Sequence, residues 1–563
     1  LPPNWKPPFT PVDIRKELSI DGGREILSSC DIDPTVVPVT DFLGGYRAAI
    51  SHWEKWCENG LTSYHKTRNN AANRFGVSGM SAYIHHGMIA VTKIAREASE
   101  IGGKGAEKFL DELLIFREHA QHHCHKLIQP KSWNNLPEWA KISWEERVFP
   151  DDEKSPYLLE FGDSGDILWD SSQIGLIRHG VMHNNVRMTW GKAFANWIKD
   201  PKKAMNTSLM FNNRYALDGR DPNSIAGVMW CFGLFDRPFY PFDIVTGNVR
   251  KRTTETHQSR INLERYRNWT EKSTLGKKLK IGIIGGGISG SFTAMLLQKL
   301  GHEVTIWDKG RGASGRLSSK KLTNDYSIQV GSKSLDSLPK WLERYTAEWI
   351  RLNLVKMDEK SLIPIEPLNE IIKHLNKKVE VNFGCKVINL DEKDDFVEIT
   401  VNNEDSLTKY HYDRVVVALP IEQAIHVCSS LELDFFGKSD SIWVVWGPSD
   451  KNYNIPENWE SYYHSSDSGI LEVRIKNDDI FDGDKFDSQT IIHFVTNKLG
   501  VDSTNWQSHY WKFANSVEGP GEIIHTKRVS IIGDGFAQPL GTVGAAIESS
   551  GRVVSELHLK KLN

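Results

Sequence analysis

The chain of 563 residues lacks several features that would place it at once. It has no apolar run near the roughly 18 residues that a membrane span needs. Its six cysteines (30, 57, 124, 231, 385 and 428) are scattered and form no CxxC pair. That argues against a zinc ribbon or a thioredoxin-type motif and predicts reduced thiols in a cytoplasmic protein. Charge of one sign is lacking too: 69 Lys and Arg stand against 72 Asp and Glu. Neither half of the chain carries the basic surplus of a typical nucleic-acid binder, although a local basic patch stays open. Nothing at the start resembles a secretory signal. The chain begins at Leu1 without a methionine, which leaves a segment upstream open. Alternating strand-like runs are scarce before residue 275, and no internal repeat or low-complexity tract is visible.

What is present divides the chain in two. This length predicts two to four domains, each able to bury its own core. In the first part Phe42, Tyr46, Ile50, Trp53 and Cys57 recur at three- and four-residue steps. Phe109, Leu113, Phe116 and Ala120 do the same, as do Val186, Trp190, Phe194, Trp197 and Ile198. That period places each set on one helix face. Residues 148–168, rich in Pro, Asp and Gly, read as loop. The polar, charged stretch 253–278 reads as a linker between a helical domain (1–252) and a second domain (279–563). Short apolar runs then appear at Ile281–Ile284, Glu303–Trp307, Val379–Phe383, Val397–Val401, Val415–Leu419 and Val529–Ile532, with helical stretches such as Phe292–Leu300 between them. Residues 280–308 form one βαβ unit.

The turn inside that unit carries the clearest chemistry. Gly285, Gly287 and Gly290 match G-x-G-x-x-G after a strand and before a helix. The first glycine allows the sharp turn, the second a close approach of backbone to pyrophosphate, and the third tight helix–strand packing. Amides at the helix N-terminus then face the phosphates. Asp308 ends the next strand, 18 residues after Gly290, where an acid can bond ribose hydroxyls. His119, His122, His123 and His125 lack an acid-bearing zinc signature and read as a polar helix face, so no metal is expected.

Two resemblances sharpen this. Trp307-Asp308-Lys309 with Gly315-Arg316-Leu317-Ser318-Ser319, and Ile532-Gly533-Asp534-Gly535-Phe536 near the end, resemble the renalase branch of the flavin amine-oxidase superfamily. The resemblance implies a Rossmann-type (α/β, with an α+β insert) FAD-dependent oxidoreductase over about 279–560. Arg316, Gly533 and Asp534 would join the glycine turn in holding FAD. The divergent stretch 425–510 would contact substrate, and a reduced nicotinamide is the substrate the branch suggests.

The first part resembles the class II photolyases of the photolyase/cryptochrome family. The motifs are Tyr64-His-Lys-Thr-Arg68-Asn69, Ser78-Gly79-Met80-Ser81-Ala82-Tyr83-Ile84-His85, Phe109-Leu-Asp-Glu112-Leu113 with Arg117-Glu118, Met182-His183-Asn184-Asn185-Val186-Arg187-Met188, and Leu217-Asp218-Gly219-Arg220-Asp221-Pro222-Asn223. The resemblance implies an all-α FAD-binding domain. Tyr64, Ser78, the Met80 backbone and Ser81 would serve the phosphates. Asn184, Arg187, Asp218, Asp221 and Asn223 would surround the isoalloxazine, with Arg187 paired to an aspartate of that loop and Asn223 facing N5, and Arg117 would join in binding the cofactor. Glu112 is the candidate for direct hydrogen bonding or proton donation. Trp190, Trp197 and Trp230 are candidates for a tryptophan electron chain, in no assigned order.

The chain also departs from that pattern. It begins near where an N-terminal antenna domain would end, so that domain is either missing or never present. Ala82 replaces a proline. Phe116 stands where a stacking tryptophan is expected, and the residues after Trp230 lack a second one. Stacking on a flipped base contributes on the order of 1–3 kcal/mol. Three readings follow. The first is a two-flavin redox protein whose oxidoreductase could supply electrons to a blue-light-active module. The second is a class II-type pyrimidine-dimer photolyase with a fused flavin reductase, for which DNA is the partner. The third is a cryptochrome-like light sensor.

Overall fold

The computed structural model describes residues 30, 32–322, 327–403, 406–450, 452–464, 469–476 and 487–559. Among the described residues up to 270, every regular element is helical. Helix Asn184–Trp197 runs through the middle of that half, burying Val186, Trp190, Phe194 and Trp197 as its periodicity predicts. Helix Tyr46–Asn59 anchors a second cluster around Trp53 and Trp56, next to Tyr64 and Phe109.

Two local expectations fail for physical reasons. Residues 148–168 contain a helix, Pro156–Glu160. Ser155 caps it by accepting the Tyr157 amide at 3.2 Å, and Pro156 takes the first helical position, where no N–H is needed. The stretch expected as a linker is folded. It forms helices Thr254–Gln258 and Leu263–Thr270, and Tyr266 and Thr270 of the second are buried. Polar residues face out along this helix while Tyr266 joins the core of the helical half.

From residue 280 a six-stranded sheet forms. Its order is Ile524–His525, Val529–Ile531, Arg414–Val417, Lys280–Ile284, Glu303–Trp307 and Glu380–Asn382. All neighbours are parallel except the first pair. Helix Ile288–Lys299, buried along most of its length, packs against strands Lys280–Ile284 and Glu303–Trp307 and against helix Val543–Leu559, which turns Glu548, Arg552 and Glu556 away from its buried face. A four-stranded antiparallel sheet is inserted, ordered Glu460–His464, Ile470–Lys476, Ile442–Pro448 and Gln507–Trp511, with helix Ser488–Leu499 behind it. The strand Gln507–Trp511, around His509, belongs to this insert and not to the nucleotide sheet.

The halves share a buried contact. Arg344 of the second half donates to Glu160 at 2.9 Å and to the Tyr215 hydroxyl at 3.2 Å, and pairs with Asp33 at 2.9 Å. Ser155 donates to Glu348 at 2.6 Å. Val37, Tyr157 and Phe161 pack onto the core of the nucleotide domain. Among the described residues no helix is long and apolar enough to cross a membrane.

Candidate functional site

The helical half gathers its predicted polar residues on the loop 217–224 and the start of helix Asn184–Trp197. Arg187 meets Asp218 in a forked pair, both N–H···O distances being 3.1 Å. Arg187 also donates to Ser224 Oγ at 3.0 Å and to the Met182 carbonyl at 3.3 Å. Asp221 caps helix Pro222–Trp230. It accepts the Asn223 amide at 2.8 Å and the Asn223 side chain at 3.0 Å. Its other oxygen takes Arg117 at 2.9 Å and lies 3.3 Å from His85 Nδ1. Burial works against ionising Asp221, yet Arg117 and the Asn223 donors hold its carboxyl below the usual range.

Glu112 sits in a second cluster. Its Oε1 meets Arg68 at 2.5 Å and Lys108 at 2.9 Å. Tyr64 lies with this cluster, its ring edge-on to Trp56 and Phe109. Burial first, then the Glu112 charge, raises its hydroxyl pKa. The two clusters are joined by a π-helical turn, Glu112–Phe116, in which the Arg117 amide bonds the Glu112 carbonyl. In an α-helix residues five apart point about 140° away from one another. The wider turn brings Glu112 and Arg117 toward one side, and such turns concentrate at functional sites. The same turn corrects an expectation. Phe109, Leu113 and Ala120 are buried, but Phe116 is 42 % exposed because the extra residue rotates it outward. It meets Trp230 at 6.1 Å, and Trp230 in turn meets Phe235.

Trp230 therefore stands apart from the other two candidate indoles. Trp190 stacks on Trp169 with ring centres 6.2 Å apart and planes 11° from parallel. Trp169 meets Trp197 edge-on at 5.2 Å. Trp169, which sequence reasoning passed over, is the link. Its indole donates to the Trp190 carbonyl at 3.0 Å, and Trp190 donates to Gln173 at 2.9 Å. No spacing signal reveals it, since it lies on a different helix (Ile167–His179).

Ser78, Met80 and Ser81 lead into the short helix Ser81–His85, with Gly79 at φ +65°. The Ser78 carbonyl bonds His52 at 2.8 Å, and Ser78 Oγ accepts weakly from the Met80 amide at 3.4 Å. Ser81 and Asn184 are exposed. His119 and His123 pack against the Phe235 ring.

The nucleotide turn of the second half is a matter of backbone. Gly285 has φ +106°, and a Cβ there would lie 2.4 Å from the Ala418 carbonyl. A Cβ on Gly290 would lie 1.9 Å from the Gly285 carbonyl. Gly287 differs: its nearest neighbour would be Gly315 Cα at 3.9 Å, so the space over it is open. Asp308 accepts the Gly286 amide at 2.5 Å and the Gly310 amide at 2.6 Å. It holds the turn as well as standing at the strand end. Arg316 pairs with Asp534 through two bonds of 2.7 and 2.6 Å, and Asp534 also accepts the Ser516 amide at 2.9 Å. Burial opposes the Asp534 charge, but Arg316 keeps its carboxyl below the usual range. Gly533, at φ +144°, donates its amide to Ser549. The Arg316 and Gly533-Asp534 motifs, 218 residues apart, are thus one constellation.

Both sites fit a nucleotide cofactor on their own chemistry. In the helical half Arg187 Nε, His183 Nε2 and Asn212 Oδ1 are buried without a hydrogen-bond partner, and such groups call for a polar guest. In the second half the open space over Gly287 beside Gly315 is a cradle that side chains would fill.

Fold and site together define a helical domain with a buried polar site, followed by a Rossmann-type dinucleotide domain. Residues 283–349 match the model of an NAD(P)-binding Rossmann-like domain. The chain is 33 % identical over 248 residues to the deoxyribodipyrimidine photo-lyase of Methanothermobacter thermautotrophicus, covering 44 % of this chain and 54 % of that one. It is 34 % identical over 184 residues to the enzyme of the same name from Oryza sativa subsp. japonica, covering 31 % and 36 %. The chain thus spans about half or less of the length of these curated relatives. Solved structures with a likeness include aklavinone-11 hydroxylase with FAD and aklavinone (TM-score 0.36, 13 % identity, 50 % of this chain and 62 % of that one). Another is p-nitrophenol 4-monooxygenase PnpA from Pseudomonas putida DLL-E4 (TM-score 0.34, 15 % identity, 51 % and 79 %). At those scores the likeness carries no argument. The chain is a fusion: its N-terminal part is similar to photolyases, and its C-terminal part carries an NAD(P)-binding Rossmann-like domain.

Proposed function

We propose that the protein is a two-flavin redox enzyme. The observation that carries this is a pair of independent, nucleotide-fitted sites in one chain: the Arg187–Asp218 pair with its unpartnered Arg187 Nε, and the Gly285–Gly290 turn on Asp308. FAD bound in both places supplies hydride acceptance and one-electron chemistry. The residues do the rest. Arg187, held by Asp218 and Ser224, would place a fixed positive charge beside a bound flavin and so would favour negative charge on it. Asn223, held by Asp221, is aimed by the helix cap. Glu112, held by Arg68 and Lys108, is joined to Arg117 and Asp221 through the π-helical turn. In the second half the glycine turn and the locked Arg316–Asp534 pair position the nucleotide, and the inserted sheet covers a small reduced substrate, in keeping with the renalase-like motifs. Trp197, Trp169 and Trp190 offer a ring-to-ring path for an electron toward the helical site. The test is flavin stoichiometry followed by anaerobic mixing with reduced nicotinamides in darkness and in blue light. Two flavins per chain, one bleached in the dark by substrate, is the expected result. One flavin per chain removes the proposal.

A second reading, a pyrimidine-dimer photolyase with a fused reductase, is favoured by a specific observation. Glu112 is present, and beside it Phe116, Trp230 and Phe235 form a continuous aromatic face with Phe116 exposed. Phenylalanine and tryptophan together can stack a flipped base. Repair of a thymine-dimer oligonucleotide under blue light decides between the two.

A further inference from the structure

We propose that the helical half carries a further binding site, for a small aromatic acid bearing a hydroxyl group, in the cavity walled by Lys192, Asn196, Trp197, Trp144 and Arg252. It lies apart from both candidate nucleotide sites and needs neither flavin for its chemistry.

Helix Asn184–Trp197 builds it. Asn185, Thr189, Lys192 and Asn196 recur at steps of four, three and four, so they share one face. The first half of that face is covered. Arg252 donates through Nε to Thr189 Oγ1 at 2.6 Å and through Nη2 to the Asn185 carbonyl at 2.8 Å, and His257 meets Thr189 at 2.8 Å. The second half, Lys192 and Asn196, opens on a cavity of about 300 Å³. Trp144, Trp197 and Val249 supply its apolar wall. That volume stands at the small end of ligand pockets, which run from about 300 to 1,000 Å³. Arg187 and Lys192 are five residues apart, which on an α-helix is about 140° around the axis. The cavity and the Arg187–Asp218 pair therefore look in different directions.

The polar groups facing this cavity are under-used. Lys192 donates to one carbonyl, that of Cys231 at 3.1 Å, and makes no ion pair among the described residues. Burial holds its ammonium below the ordinary lysine range, with help from Arg252 and Arg250 and against Cys231 and Asp236. The hydrogen-bond partners of Arg252, Thr189 and Asn185, are neutral, and its Nη1 is left over. Asn196 makes no side-chain hydrogen bond, and its Oδ1 is buried. The other charges around the cavity are committed. Lys251 pairs with Asp243 at 2.8 Å, Asp152 with Lys154 at 2.9 Å, Arg250 lies over the Phe239 ring, and Asp166 accepts the Trp169 amide at 2.9 Å. Glu255 is exposed, where water screens it. An ammonium and a guanidinium only donate, so the guest brings an acceptor, and two cations favour a charged one. An amide oxygen only accepts, so the guest also brings a donor. The two indoles favour a flat ring between those ends. A hydroxylated aromatic carboxylate meets all three demands. A free phosphate has no ring to set against the indoles, and a cationic amine would meet Lys192.

The experiment uses the whole flavin-loaded chain labelled with 15N-tryptophan. The Trp197 indole signal is assigned by its loss in Trp197→Phe. The probes, titrated separately, are 3-hydroxybenzoate, 4-hydroxybenzoate, benzoate, 4-hydroxybenzylamine and inorganic phosphate. A saturable shift of the Trp197 signal is expected with at least one hydroxybenzoate. Benzoate should bind about fivefold more weakly, the size of one neutral hydrogen bond, and the amine and phosphate should leave the signal in place. Lys192→Met should weaken the hydroxybenzoate about tenfold or more, the size of one charge-assisted bond, while flavin per chain stays unchanged. Its melting temperature should fall no lower than that of the parent, because an unpaired half-buried charge is removed. Lys192→Arg should keep most of the affinity, and Asn196→Leu should erase the preference for a hydroxyl. An unmoved Trp197 signal with both hydroxybenzoates, an equal response to the amine or to phosphate, or full affinity in Lys192→Met overturns the site. So does a sharp loss of melting temperature in Lys192→Met together with no binding in Lys192→Arg, which would make the lysine a structural one.

Discussion

The two halves build their candidate nucleotide sites by opposite means. The helical half relies on charged side chains brought together from distant segments: Arg187 with Asp218, and Arg117 with Asp221. The Rossmann half relies on the absence of side chains at Gly285, Gly287 and Gly290, and on one carboxylate, Asp308, that ties the turn to the next strand. A backbone site has nothing to trade, so a Cβ added where backbone already crowds, as at Gly285 and Gly290, breaks it. A side-chain site degrades by the cost of the charge left behind.

The largest expected effect follows from the first kind. Gly290→Val places a Cβ within 1.9 Å of a backbone carbonyl that no rotamer change can move. Flavin extracted per chain is expected to fall by half. A full complement of flavin would show that the turn yields in ways the glycine spacing does not suggest. Next comes Asp218→Ala, which strands Arg187 in a largely buried place. Breaking such a pair costs about 3–5 kcal/mol. Denaturant unfolding should register that loss together with flavin loss confined to the helical half. In a double variant, Asp218→Ala with Arg187→Met, part of the stability should return, because the penalty comes from the unpaired charge.

This contrast also explains how far the sequence could be read. The glycine turn was legible by spacing, since three positions within six residues define it and the flanking strand and helix follow from periodicity. The Arg187–Asp218 pair was legible only through resemblance, because nothing local joins residues 31 apart. The π turn at Glu112–Phe116 was not legible at all. Its sequence, Glu-Leu-Leu-Ile-Phe, suits an α-helix equally well, and the widened turn is settled by what packs around it. Trp169 was missed for a related reason: the indole path crosses between helices, and helical periodicity says nothing about which helix lies alongside. The folded stretch 253–278 was read as a linker because its polar composition hides the single inward face of Tyr266.

An acid titration sharpens the comparison from another side. Burial, helped by neighbouring cations, pushes His183 and His257 of the helical half down to about 4 from the ordinary 6.5. Both are neutral in the folded state at pH values where the unfolded chain binds protons. Stability contributed by this difference is present above about pH 6.5 and is lost as pH falls from there toward 4. The melting temperature of the helical half should therefore decline across that window. His257→Gln, which leaves Thr189 an amide partner in place of the ring Nδ1 it meets at 2.8 Å, should flatten the decline. An unchanged slope would place the acid sensitivity elsewhere.

The smallest effect asks whether the halves melt as one. Asp200 caps helix Pro201–Tyr215 by accepting the Lys202 amide at 2.8 Å, and Asp487 caps helix Ser488–Leu499 by accepting the Thr490 amide at 2.8 Å. The two caps are matched in chemistry and exposure but lie in different halves. Between the halves stands the buried set of Arg344, Glu160, Tyr215 and Asp33. If that contact couples them into one cooperative unit, Asp200→Ala and Asp487→Ala each lower a single shared transition by about 2 °C or less. If each half unfolds on its own, calorimetry shows two transitions, and each substitution moves only one. The second outcome would mean that the interface orients the halves without adding to their cooperativity, because the conformational freedom of each half is then lost and regained independently of the buried ions between them.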